Sequence, residues 1–351
     1  MKKTTLYLTL ILVISFTNQI YSQTDFVTGL SSPVGILLDE NELYIVENEA
    51  GKISKIDITQ ESPTPVDVVS GLSGPARLAK YGNELYISDF VGDKIYKIDL
   101  TESSPSLTTV LSELQGPDGI AIYNNELYFT QVYDGTLSKI DLTSETPTIV
   151  EVDNNLTGPK DIFVYENYLY ISEYNGDRIS RFNLTRTDAV HDNVITNLES
   201  CTGIYVKNDN LFITLRNLNK ISKANISGTN PVANDFLLNI NDGVGIAINN
   251  DGTEMYISSY ADNKIIKYTD ANLGIENNAI QKNISISPNP ATSYIYLNNL
   301  SSVEPYTLLN LQGQIIQESS LQPNQNLNIE HLNPGLYFLK TNLQTLKFIK
   351  K

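Results

Sequence analysis

Leu85-Tyr86-Ile87-Ser88-Asp89 returns in close copies at a nearly constant interval, as Leu43-Tyr44-Ile45, Leu127-Tyr128-Phe129, Leu169-Tyr170-Ile171, Leu211-Phe212-Ile213 and Met255-Tyr256-Ile257. The central aromatics at 44, 86, 128, 170, 212 and 256 are separated by 42, 42, 42, 42 and 44 residues. A period of this size constrains the fold more than any other feature. Each unit is one supersecondary element that cannot cover its own faces, so its neighbours must cover them. The longer last interval has a local cause, because Asn250-Asp251-Gly252-Thr253 lengthens one turn of the sixth unit.

Within a unit the order is constant. In the second, Gly74-Pro75 precedes an apolar run at Leu78 to Tyr81, and a Gly82-Asn83 turn leads into Glu84 to Ser88. Gly92-Asp93 then turns into Lys94 to Leu100, and Leu107 to Leu111 closes the unit. Four strands joined by turn residues are predicted. Radial stacking suits short four-stranded units better than a linear solenoid. The sixth unit lacks a fourth strand after Tyr268, whereas Phe26 to Leu30 precedes the first unit and matches Val68 to Leu72. The expectation is therefore all-β: a six-bladed β-propeller over residues 23–270 with velcro closure.

The start of the chain reads as an export signal over residues 1–22, with Lys2 and Lys3 before the apolar run Leu6 to Phe16. That run is too short to span a bilayer, for which about 20 apolar residues are needed, so no membrane span is expected in the mature form. One cysteine, Cys201, excludes an intramolecular disulfide and reads as a small core residue. His191 and His331 lie in different segments, which leaves little material for a histidine zinc site or a Ser/His/Asp triad. The formal charge of −16 argues against nucleic acid and anionic membranes as partners, since both need clustered Lys and Arg. A cation or a neutral ligand fits better.

Pro33-Val34-Gly35-Ile36, Pro117-Asp118-Gly119-Ile120-Ala121, the phrase at 85–89 and Lys94-Ile95-Tyr96-Lys97-Ile98-Asp99 resemble the NHL-type six-bladed propellers. Similarity to the YWTD and gluconolactonase-like (SMP-30) propellers is weaker. The resemblance implies a fold rather than a function, because such propellers include lactonases, lyases, receptors and protein-binding modules. Residues 271–282 read as a linker. Beyond it, Ser287-Pro288-Asn289-Pro290-Ala291-Thr292, the Gln312-Gly313 turn, Leu332-Asn333-Pro334-Gly335-Leu336-Tyr337-Phe338 and Lys347-Phe348-Ile349-Lys350-Lys351 resemble the type A C-terminal sorting domain of the type IX secretion system. That resemblance implies that residues 283–351 form a small β-sandwich read by the secretion machinery, and that the protein is secreted or held on the cell surface.

The chemistry is sought where the repeat is broken. Two residues after the leading Pro stand Gly35, Gly119, Gly203 and Gly245, but Arg77 and Asp161 in units two and four. The first strand of a propeller unit is innermost, so these side chains are expected at a channel where glycine otherwise leaves room. The preceding column is Val34, Ala76, Asp118, Lys160, Thr202 and Val244, which gives one polar side and one apolar side. Arg77, Asp118, Lys160 and Asp161 are the candidate ligand site, joined on the same face by Glu47, Asp89, Glu173 and Arg216. Against this stands a plain alternative, in which Arg77 and Asp161 neutralise one another and the acids of the repeated phrase accept turn amides. No cofactor is evident. Asp118 and Asp161 held close would suit Ca²⁺, or one of them could act as a base. The first reading is a binding propeller for a small molecule, glycan, peptide or protein. The second is a metal-dependent lactonase, hydrolase or lyase of the gluconolactonase-like or streptogramin-lyase-like type, and an inert surface scaffold is the third.

Overall fold

A computed structural model describes residues 22–186, 191–270, 273, 285–298, 304–322, 325–341 and 345–351. Apart from Ser22 and Leu273, the expected export signal and linker lie outside the described residues. The chain divides into two compact units, Met1–Ile275 and Glu276–Lys351.

In the first unit the described strands form six four-stranded antiparallel sheets. The second is representative: Pro75–Tyr81, Glu84–Asp89, Lys94–Asp99 and Thr108–Leu111 pair in chain order. In the sixth, Gly243–Ile248, Glu254–Ser259 and Lys264–Thr269 are joined by Ser22–Thr28 from the start of the chain, which pairs antiparallel with Lys264–Thr269. The first strands of successive sheets lie side by side, and the last returns to the first. This is the arrangement of a β-propeller.

The core consists of the seams between neighbouring sheets. Leu85 and Ile87 pack with Tyr44, Val46 and Ile53 of the first sheet, whereas Tyr86 and Ile95 pack with Ile120, Leu127 and Phe129 of the third. Val27, Ala247 and Tyr256 meet Leu43 and Ile45 across the seam between the sixth sheet and the first. Alternate residues of the repeated phrase thus enter opposite seams, as the two-residue period of a strand requires. Both faces are covered, which is why the phrase is apolar without interruption.

Burial does not account for the tyrosine alone. Tyr86 donates its hydroxyl to Glu84 Oε2 at 2.7 Å, and Lys97 across the sheet bonds Glu84 Oε1 at 2.5 Å. The same group recurs at Tyr44, Glu42 and Lys55 and at Tyr256, Glu254 and Lys267. The fifth sheet replaces the tyrosine and glutamate together, with Phe212 and Asn210, so no buried hydroxyl is stranded there.

The second unit contains a three-stranded sheet, Ser285–Ser287, Tyr294–Asn298 and Asn326–Asn328, and a four-stranded one, Glu304–Leu309, Ile315–Leu321, Gly335–Thr341 and Thr345–Lys350. Both sheets feed one core that includes Ile295, Leu308, Leu327, Leu339 and Phe348.

Candidate functional site

The six first strands carry the site, and each is irregular at the same place. Pairing slips between the first residue and the fourth, as between Pro75 and Leu78. The bulge takes the amide of the third residue off the ladder, and in five of the six sheets a hydroxyl from the second strand receives it. Arg77 N donates to Ser88 Oγ at 2.9 Å, Gly119 N to Thr130 Oγ1 at 2.9 Å and Asp161 N to Ser172 Oγ at 2.9 Å. Ser88 Oγ then donates to Asp118 O of the next sheet at 2.6 Å, which ties the backbones of Arg77 and Asp118 together.

Two cavities lie along these strands. One, of about 380 Å³, is bordered by the second-position column, Val34, Ala76, Asp118, Lys160, Thr202 and Val244, and by Arg77. Its walls are Asn48, Phe90, Tyr174, Arg216 and Tyr260. The other, of about 290 Å³, is mainly apolar, with Ile36, Leu78, Ile120, Ile162, Ile204 and Ile246 around Arg77 and Asp161. Arg77 borders both, so the Arg77–Asp161 pair lies where one gives way to the other.

Arg77 Nε stands 3.1 Å from Asp161 Oδ1, with the two side chains 8% and 14% exposed. Asp161 also accepts the amides of Ile162 at 3.0 Å and Ile204 at 3.1 Å. Burial raises the Asp161 pKa, against the pull of Arg77 and the Ile204 amide. Burial disfavours the charge on Arg77 as well, but Asp161 and Asp118 outweigh it and raise its pKa, so the guanidinium stays charged. Lys160 Nζ bonds Asp118 Oδ2 at 3.1 Å and lies 4.7 Å from the centre of the Phe90 ring. Arg216 is held by both oxygens of Asp242, its Nη2 at 2.8 Å from Oδ2, and is stacked 4.8 Å from the Tyr260 ring centre. Asp242 raises the Arg216 pKa.

These pairings leave Arg77 Nη2 and Asp118 Oδ1 buried without a hydrogen-bond partner, and Arg77 Nε meets Asp161 as an ion pair without hydrogen-bond geometry. Each residue is 6% exposed. An unmet donor and an unmet acceptor therefore stand on adjacent strands, on two residues that border the same cavity. A group that both gives and takes a hydrogen bond would relieve the cost of leaving them bare.

The structure thus gathers Arg77, Asp118, Lys160 and Arg216 at one cavity and places Asp161 behind Arg77. The acids of the repeated phrase are turned elsewhere. Glu47 accepts Ser31 N at 2.9 Å and Ser54 Oγ at 2.7 Å; Asp89 accepts Ser73 N at 2.9 Å and Gly74 N at 2.7 Å. Glu173 accepts Thr157 N at 2.7 Å and the guanidinium of Arg178. They brace turns and do not border either cavity. Among the described residues no group of three or more His, Cys, Asp or Glu is placed to hold a metal.

The glycines require a correction. They do not leave room in a channel, because a Cβ on Gly35 would lie 2.3 Å from Ala76 O and one on Gly203 would lie 1.7 Å from Val244 O. Glycine is needed where neighbouring strands crowd together. The walls Asn48, Phe90, Tyr174, Arg216 and Tyr260 include four residues outside the expected set. Their signal was the fourth position after each central aromatic, which is aromatic in the second, fourth and sixth repeats.

Residues 285–351 match the family described as the secretion system C-terminal sorting domain. This tail marks the protein for export by the type IX system, to the cell surface or beyond, and implies contact with that machinery. No curated protein matches the chain in sequence. Solved β-propellers match in fold. A streptogramin B lyase is 20% identical with a TM-score of 0.54, over 71% of this chain and 98% of that one. An auxiliary nutrient binding protein from Bacteroides thetaiotaomicron is 18% identical with a TM-score of 0.58, over 68% and 69% of the two chains. A luciferin-regenerating enzyme is 12% identical with a TM-score of 0.60, over 72% and 97%. Identities this low carry the fold alone.

Proposed function

We propose that the six sheets are the blades of a closed six-bladed propeller, joined by the pairing of Ser22–Thr28 with Lys264–Thr269. Displayed outside the cell by the C-terminal tail, this propeller binds a small polar ligand at the cavity bordered by Arg77, Asp118 and Phe90. The observation that carries this reading is the pair of buried, unmet groups, Arg77 Nη2 and Asp118 Oδ1, at an aromatic-walled cavity. Its volume of about 380 Å³ falls in the range usual for small-ligand pockets.

The test is a thermal-shift screen of sugars, amino acids and short peptides against the wild type and Asp118→Asn. A ligand that raises the melting temperature of the wild type, with the shift lost in the variant, supports the site. Hits that shift both proteins equally place binding elsewhere. A catalytic reading with Ca²⁺ between Asp118 and Asp161 would require those carboxylates to give up Lys160 and Arg77. A Ca²⁺-dependent rise in melting temperature that disappears in Asp161→Ala would favour it over simple binding.

A further inference from the structure

The cavity's charges are already balanced. Of its bordering residues, Arg77 is paired with Asp161, Lys160 with Asp118 and Arg216 with Asp242. An ionic ligand would have to break one of these pairs or enter without a counter-charge, and both are costly away from water. A neutral ligand meets neither penalty. What it must supply is an acceptor for Arg77 Nη2 and a donor for Asp118 Oδ1, two groups on adjacent strands whose backbones Ser88 holds together. A trans peptide group points its N–H and C=O in opposite directions. Adjacent hydroxyls project together, and each can both donate and accept.

The aromatic surface does not stop at the cavity. Tyr133, 68% exposed, packs against Phe90 with ring centres 5.4 Å apart. The two rings are seated over Gly116, where a Cβ would lie 2.8 Å from Tyr133 and 3.1 Å from Phe90. Val91, next to Phe90, is 66% exposed. An apolar platform thus continues outward from the paired polar groups, over the second and third sheets. A large aromatic ring left this open is a surface for contact.

We infer that the site takes a neutral saccharide, with adjacent hydroxyls on Arg77 and Asp118 and the chain continuing over Phe90 and Tyr133. The inference rests on the binding reading above and names its ligand class. Hydroxyls meet the polar pair, and the C–H faces of successive sugar rings lie on the platform. The ligand is therefore an oligomer rather than a single sugar, and longer chains bind more tightly until the platform is covered.

The experiment is calorimetric titration of the purified full chain with neutral gluco-, manno- and galacto-oligosaccharides from mono- to hexasaccharide. Unlabelled neutral peptides serve as the competing class. Affinity for at least one series is expected to rise with chain length. Tyr133→Ala should lower affinity for the longer members by ~3- to 10-fold and leave the monosaccharide unchanged. Asp118→Asn should lower affinity for every member by about tenfold or more, the size of a lost hydrogen bond to a charged group. Gly116→Ala, which disturbs the ring seat, should act like Tyr133→Ala. Peptide binding that depends on Asp118, with no saccharide binding, overturns the ligand class and leaves the binding reading standing. Saccharide binding unaffected by Tyr133→Ala at every length overturns the platform. Absence of binding from all panels overturns both the inference and the reading beneath it.

Discussion

Burial decides the chemistry of Cys201. The thiol is fully buried and faces the carbonyls of Glu173 at 3.4 Å and Arg178 at 3.2 Å. Burial pushes its pKa up to about 12. Because the thiolate is the reactive form, the native protein is expected to resist iodoacetamide at neutral pH and to be alkylated fully in denaturant. Labelling followed by mass spectrometry checks this, and rapid native labelling would show the thiol to be accessible. Arg77 is a different case, because its burial is legible only in three dimensions. Its break from the glycine column was visible in the sequence, but its counter-ion lies two repeats away, on the fourth sheet. Glu47, Asp89 and Glu173 look alike in sequence to residues of a site, yet each is consumed by turn amides. Column position could not separate these fates, since both columns lie near the same ends of strands.

At the scale of the element, the hydroxyl two residues after the central aromatic explains how a bulged strand keeps its hydrogen bonds. Ser88, Thr130, Ser172, Thr214 and Ser258 each receive the displaced amide of the first strand. All but Thr130 also donate to a carbonyl of the next sheet, Ser258 closing the sequence onto Val34. The hydroxyl thereby joins one sheet to the next as well as repairing its own. Ser88→Ala is expected to cost about 1–3 kcal/mol, because it strands a buried amide and a buried carbonyl together. The first sheet has Val46 at this position, fully buried. Val46→Thr, of nearly equal shape, is expected to add about 1 kcal/mol of stability by restoring the bond. Denaturant titration of both variants reads the two signs, and destabilisation by Val46→Thr would mean that the first sheet places its amide differently.

In the whole molecule the sorting signal is confined to the second compact unit, and truncation separates it from the first. Removal of residues 285–351 is expected to leave a folded first unit that fails to reach the cell surface, as read by surface labelling against melting of the purified truncation. Normal display would overturn the role of the tail. Much of this organisation was open to reading from the chain, because repeat period, turn residues and alternating burial are local properties written every 42 residues. The tail was equally legible, since its motifs are short, ordered and confined to residues 285–351. The repeated strands, the register of the phrase Leu85-Tyr86-Ile87 and the destination of the protein were legible in the chain alone. Which side chains meet is settled by the packed structure. It alone brings Arg77 to Asp161, leaves Arg77 Nη2 and Asp118 Oδ1 unmet, and turns Phe90, Tyr174 and Tyr260 into walls of one cavity. The physical reason is distance along the chain: a seam between neighbouring sheets is set by a 42-residue period, whereas this cavity is assembled from residues of all six repeats at once.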